Sequence, residues 1–146
     1  MHCSRPTHDE NRRRGDTGPA PGTGNLARLA RQNTDFRRVL WTGKNLQLTV
    51  MDIPPQGEIG LEIHPQTDQL LRIEEGRAVV RMGSTRDTLE FQRSLGEGAA
   101  IWVPCGVWHN VLNAGCCHLK LSSLYAPPQH PAGTVHRTRT EAEKAE

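Results

Sequence analysis

Two segments of the chain place metal-binding side chains on short extended stretches bounded by Gly and Pro. The first segment, residues 60–76, carries Glu62 and His64 with one residue between them, and the second, residues 98–113, carries His109. Divalent metals in proteins are held by imidazole and carboxylate groups that converge from separate strands. The two segments therefore favour a fold that brings them side by side, and they predict a metal site where they meet.

The spacing of the second segment resembles the second signature motif of the cupin superfamily. That motif runs Gly, five residues, Pro, one residue, Gly, two residues, His, three residues and Asn. Every fixed position is matched here, by Gly98, Pro104, Gly106, His109 and Asn113. With the flanking strands, the resemblance extends over about residues 36–126.

The first segment resembles the first cupin motif, in which His-x-His precedes a Glu and a closing Gly. The spacing is kept, and those four positions are occupied by Glu62, His64, Gln69 and Gly76. The opening Gly is displaced, since Gln56 holds its place. The resemblance therefore implies four metal ligands, two of them of a changed type: Glu62, His64, Gln69 and His109.

Strand alternation supports the same set. Successive residues of a strand face opposite sides, so Glu62 and His64 point the same way. The next strand is expected to direct four residues to one face: Gln69, Leu71, Ile73 and Glu75. If such faces line a barrel, the candidate ligands converge in a pocket with aliphatic walls, as ligand sites commonly do. Asp68 would replace Gln69 only if the register shifted by one residue.

Between its ends the chain alternates short β-rich stretches with turn residues. Many short strands without a long helical period favour a sandwich or barrel, and cupins are double-sheet jelly rolls. We therefore predict an all-β chain with the cupin double-stranded β-helix (jelly-roll) barrel. The predicted strands are residues 38–41, 46–53, 59–64, 69–75, 78–82, 85–91, 100–103, 108–112 and 118–125.

The two ends differ in composition from the predicted barrel. Residues 1–24 are polar and lack periodicity, so a disordered tail is expected there. The cupin domain is assigned to residues 25–135 and opens with a short helix around Leu26, while residues 136–146 form a charged C-terminal tail. The Pro-rich residues 127–131 cannot continue a central strand, and they either leave the barrel or fold across its mouth.

Composition narrows the class of protein. A chain of 146 residues with 35% hydrophobic residues suggests one modest domain, and a net charge of +2 gives no reason to expect nucleic-acid binding. No apolar run approaches the ~20 residues that span a membrane, and no signal segment opens the chain. A cytoplasmic protein without a membrane partner is expected. The four cysteines include no C-x-x-C pair, so free thiols are predicted.

The candidate chemistry follows from the ligand set. Two His and one carboxylate with open positions suit Zn, Mn, Fe or Ni, and the sequence leaves the metal open. Glu62 is also a candidate catalytic residue, because a carboxylate can move a proton. Tyr125 is the second candidate catalytic residue, with Lys120 as its alternative, and the two cannot share a strand face without a bulge.

The ligand set also resembles small cupins called mannose-6-phosphate-isomerase-like, a likeness of fold that does not fix a substrate. The leading prediction is a metal-dependent isomerase or lyase whose partner is a small oxygenated or sugar-like substrate. The alternatives are an Fe(II)-dependent dioxygenase and a non-enzymatic small-molecule or sugar-binding module. The resemblance further implies a homodimer, because small cupins commonly pair through strands or barrel faces.

Overall fold

The computed structural model of the chain describes residues 15–146, so residues 1–14 of the predicted tail (1–24) lie outside the described part. No helix in the described part is long and apolar enough to cross a bilayer. In chain order, the elements are α1 (Leu26–Gln32), β1 (Arg37–Thr42), β2 (Gln47–Ile53), β3 (Asp68–Glu75), β4 (Ala78–Gly83), β5 (Phe91–Leu95), β6 (Ala100–Val103), β7 (Trp108–Asn113), β8 (Leu119–Ala126), β9 (Val135–His136) and α2 (Arg139–Lys144).

The strands pair into two antiparallel sheets. The larger has the order β6-β3-β8-β2-β1-β9 and the smaller the order β5-β4-β7. Their inner faces bury a common apolar core, in which Met51, Leu71 and Leu121 of the larger sheet meet Val80 and Val111 of the smaller. Two sheets packed over one core form the jelly-roll barrel, so the predicted all-β cupin fold is confirmed.

Alternating burial determines which side chains reach the barrel interior. In β7, His109 is buried between partly exposed neighbours, as a strand with one inner face requires. In β3 the same alternation holds from Gln69 to Ile73, and a bulge follows between Ile73 and Glu75. The prediction that Glu75 faces inward is wrong, because the bulge interrupts the alternation and leaves this residue exposed.

The ligand-bearing segment is not the strand predicted for residues 59–64. It forms two isolated bridges to β7, one at Glu58 and one at Glu62. Gly60 lies between them with a φ of +106°, which interrupts the extended backbone that a strand needs. The strand predicted for residues 85–91 is also wrong, because a turn occupies most of this range and β5 begins only at its last residue.

The predicted short helix is α1, which lies on the outer face of the larger sheet. Its N-terminus is capped by the side chain of Asn25. At its C-terminal end, the carbonyl oxygen of Asn33 accepts a hydrogen bond of 2.6 Å from Lys120 Nζ, which also lies 3.1 Å from Asp52 Oδ2. Lys120 therefore points away from the barrel interior, toward α1.

Both ends of the described chain contact β1. The carboxylate of Asp16 accepts hydrogen bonds from the backbone and hydroxyl of Thr42 and from the backbone of Gly133. At the other end, β9 pairs with β1, and Ala142 of α2 is buried in the main core. Described parts of both predicted tails therefore lie against the barrel.

The cysteines differ from one another. Cys105 and Cys116 are free and exposed. Cys117 is disulfide-bonded, so the prediction of free thiols is wrong for this residue.

Candidate metal centre

Strand β7 and the segment between β2 and β3 bring the predicted ligands together. The backbones of Glu62 and His109 exchange two hydrogen bonds of 2.9 Å each. The carbonyl oxygen of His64 accepts a hydrogen bond of 2.8 Å from Gly106 N–H. Gly106 has a φ of +79°, so the glycine of the second motif makes the turn that holds His64 beside β7.

One carboxylate oxygen faces both imidazole rings. Glu62 Oε1 lies 3.4 Å from His64 Nε2 and 3.4 Å from His109 Nε2. One ligand atom from each of the three residues lies within 4.8 Å of the other two. Donor atoms about 2.1 Å from an ion and about 109° apart are about 3.4 Å from each other. The two distances from Glu62 Oε1 to the imidazole nitrogens therefore match the spacing of ligands around one ion.

The imidazole nitrogens that face Glu62 are free to bind an ion. His109 Nδ1 donates to the carbonyl oxygen of Val107 at 2.9 Å, which leaves the lone pair on Nε2. The Nε2 atoms of His64 and His109 are both buried without a hydrogen-bond partner, because their approach to Glu62 lacks hydrogen-bond geometry. Buried polar atoms are nearly always paired, so two orphaned nitrogens beside one carboxylate fit an ion site.

Glu62 is ionised in this setting. Burial by itself raises the pKa of its carboxyl group, but the approach of the His109 and His64 rings outweighs burial. The pKa of Glu62 therefore lies well below its usual value of 4.5. A carboxylate that stays charged supplies the negative charge that a divalent ion favours.

Gln69 reaches the same interior. Its Nε2 donates to Ser123 Oγ at 2.9 Å, and its Oε1 is buried without a partner. Gln69 pairs across the sheet with Tyr125, whose ring packs on His64, so its free oxygen lies on the side of the barrel that holds the imidazoles. Asp68, the alternative ligand, is exposed and accepts a backbone hydrogen bond outside the interior.

Tyr125 is the catalytic candidate of β8 that faces the interior. It is fully buried, and its ring packs edge-on against His64 and His130 at centroid distances of 5.7 and 5.1 Å. Its hydroxyl has no hydrogen-bond partner. Burial raises the pKa of Tyr125 above its usual value of 10.0, despite the opposing charge of Arg37. The phenol is therefore protonated at neutral pH.

The sequence analysis missed part of the interior polar set. Arg37 begins β1 and pairs across the sheet with His136 of β9. His130 lies in the Pro-rich segment, where the buried side chain of Gln47 bonds its backbone N–H and carbonyl oxygen at 2.9 and 2.8 Å. Eight buried side-chain atoms in the described part lack a hydrogen-bond partner, on Arg37, Thr49, His64, Gln69, His109, Tyr125, His130 and His136.

One of the residues that the sequence analysis missed, Arg37, could have been found from the sequence. Arg37 and Arg38 are consecutive in β1, and alternation must direct one of two neighbours inward. The predicted strand began at residue 38 and therefore omitted the inward one.

Comparison with known proteins agrees with the fold. The Cupin domain family model matches residues 49–125. An uncharacterized Bacillus subtilis protein, YrkC, is 53% identical over 131 residues, which cover 90% of this chain and 70% of that protein. An uncharacterized protein of Acanthamoeba polyphaga mimivirus, L612, is 38% identical over 76% of this chain and 68% of its own length.

Solved structures share the architecture. The crystal structure of BH2720 from Bacillus halodurans is 52% identical, covers 89% of this chain and 98% of its own, and has a TM-score of 0.88. KdgF from a Halomonas species is 16% identical with a TM-score of 0.57, over 64% of this chain and 80% of its own. That second likeness is one of fold alone. The family match and the identity to these relatives show that the chain belongs to the cupin family.

Proposed function

We propose that this cupin is a metal-dependent enzyme that acts on a small oxygenated metabolite by isomerase- or lyase-type chemistry. The observation that carries the proposal is the convergence of Glu62, His64 and His109 beside the unpaired hydroxyl of Tyr125. An ion site next to a group with a transferable proton is what such chemistry needs.

The donor set fits a divalent first-row ion. Two imidazoles and a carboxylate suit Zn, Mn, Fe or Ni, and the amide oxygen of Gln69 would add a neutral ligand. When bound, such an ion polarises a substrate oxygen as a Lewis acid.

The chain's own side chains would hold and move the protons. Tyr125 keeps its proton at neutral pH, so its Oη is the donor to a substrate oxygen. Glu62 stays ionised, so we assign it to holding the ion rather than to carrying a proton. The burial of Tyr125 keeps bulk water from competing for its hydroxyl.

An Fe(II)-dependent dioxygenase is the second candidate. It is favoured by the count of two imidazoles and one carboxylate, which is the ligand set of many non-haem iron oxygenases. It would need open coordination positions for oxygen and substrate, and a bound Gln69 would occupy one of them.

One experiment separates these functions. The chain, loaded in turn with Zn, Mn, Ni and anaerobic Fe(II), would be incubated in D2O with a panel of hydroxy-carbonyl compounds and sugars. Metal-dependent deuterium incorporation or product formation, seen by NMR and reduced in Tyr125→Phe, is the expected result. Substrate-dependent oxygen uptake by the Fe(II)-loaded chain after air is admitted, and by the chain with none of the other metals, would support the dioxygenase. Binding without turnover under every condition would contradict both and leave a binding module.

A further inference from the structure

Arg37 carries a buried charge without a carboxylate partner. The residue is 3% exposed, and its Nε has no hydrogen-bond partner. Within residues 15–146, no Asp or Glu forms an ion pair with it. Its neighbour Arg38, by contrast, binds Asp35 Oδ2 at 2.9 Å. Buried charges in proteins are nearly always paired, so an anion is expected beside the guanidinium of Arg37.

Three of the side chains around Arg37 are uncharged, those of His130, His136 and Tyr125. Its charge adds to burial in lowering the pKa of His130 to about 3 and the pKa of His136 below its usual value, so both rings are neutral at neutral pH. The third neighbour is the phenol of Tyr125. All three side chains present a buried polar atom without a partner. They can share hydrogen bonds with an anion but cannot neutralise the arginine.

Arg37 adjoins the metal centre. Arg37 and Glu62 line the same cavity, which has a volume of about 100 Å³ and whose wall also includes Glu143 and Glu146. The ring of Tyr125 packs against both His64 of the metal centre and His130. A second cation of the cavity wall, Arg139, already pairs with Glu58 and Glu143. A small molecule held at Arg37 is therefore within reach of the metal ligands.

We infer that Arg37, assisted by Tyr125 and His130, binds a carboxylate group of the substrate beside the Glu62–His64–His109 centre. This rests on the proposed function, in which the barrel interior receives a small oxygenated molecule. A carboxylate is preferred to a phosphate because the single charge of one guanidinium balances a carboxylate, and no other unpaired cation lines the described cavity. The substrate class is thus a small carboxylic acid with a second oxygen group for the ion.

The test uses fluoroacetate as the probe, with binding followed by 19F NMR. The full chain would be measured as purified and after removal of metal by EDTA, so that probe binding to the ion is separated from probe binding to Arg37. Fluoroethanol serves as the uncharged control, and inorganic phosphate as the competing anion. The variants are Arg37→Gln, Arg37→Lys and Tyr125→Phe, with the half-exposed Arg72→Gln as matched control.

Arg72→Gln should bind fluoroacetate as tightly as the parent does, both as purified and after EDTA treatment. Neither should bind fluoroethanol. Arg37→Gln should weaken the binding at least about tenfold, and Arg37→Lys and Tyr125→Phe should weaken it less. Equal affinity in Arg37→Gln and the parent would overturn the inference, as would stronger binding of phosphate than of fluoroacetate. If Arg37→Gln does not fold, unchanged affinity in both Arg37→Lys and Tyr125→Phe overturns it. Metal uptake is scored separately, so a parent that takes up no metal refutes only the proposed function.

Discussion

The Pro-rich segment is expected to depend on one buried glutamine. Gln47 is fully buried, and its amide makes four hydrogen bonds: to Thr42 Oγ1, to the carbonyl oxygen of His130, and from the backbone N–H groups of Gln129 and His130. Gln47→Leu keeps the volume but removes all four. At about 1 kcal/mol net for each hydrogen bond, we expect the free energy of unfolding to fall by about 4 kcal/mol.

Urea unfolding followed by tryptophan fluorescence measures this loss. The matched control is Gln92→Leu, because Gln92 is exposed and makes a single long hydrogen bond of 3.4 Å to Leu89. That control should stay within about 0.5 kcal/mol of the parent. Hydrogen exchange at the backbone of His130 should accelerate in Gln47→Leu only. Equal stability of the two variants would refute the assignment of Gln47 as the anchor of this segment.

Three further predictions concern protons and assembly. The pKa of His130 is lowered to about 3, so as the pH falls the unfolded chain takes up a proton at this residue before the folded chain does. The free energy of unfolding of the parent should therefore fall relative to that of His130→Asn as the pH drops below 6.5. NMR titration of the His130 ring that gives an ordinary histidine pKa would contradict this. The pKa of Asp16 is lowered, because hydrogen bonds from Thr42, Gly18 and Gly133 outweigh burial, which alone would raise it. The stabilisation by Asp16 should be present above pH 3.8 and be lost as pH falls through the lower folded pKa, whereas Asp16→Asn should lack this dependence in acid unfolding curves. Light scattering should give twice the mass of one chain for the predicted homodimer, and a single-chain mass would refute it.

The fold and the three-residue centre could be predicted because their determinants are local. Spacing by two residues directs Glu62 and His64 to the same side, whatever the exact extent of the strand. The Gly and Pro residues of the second motif shape the turn before His109, and Gly106 has the positive φ that such a turn requires. The sequence therefore carried enough information to place these ligands together, although the strand around them was wrong.

The surroundings of Arg37 could not be predicted from the sequence, because strand pairing between distant parts of the chain creates them. Arg37 faces inward through the register of β1 with β2 and β9, and His136 comes from the far end of the chain. His130 enters the interior only because Gln47 holds its backbone across a separation of 83 residues. Both Arg37 and Arg38 are buried, and strand alternation alone does not say which of them faces the barrel interior.

The central claim is that Glu62, His64 and His109 hold a divalent ion, and metal analysis of protein purified without an affinity tag tests it most directly. We would measure metal per chain in the parent, in the double variant His64→Ala, His109→Ala, and in His118→Ala as a histidine control on the outer surface. The parent and His118→Ala should each hold about one ion per chain, and the double variant should hold almost none while it remains folded. Full metal occupancy in the double variant would contradict the account.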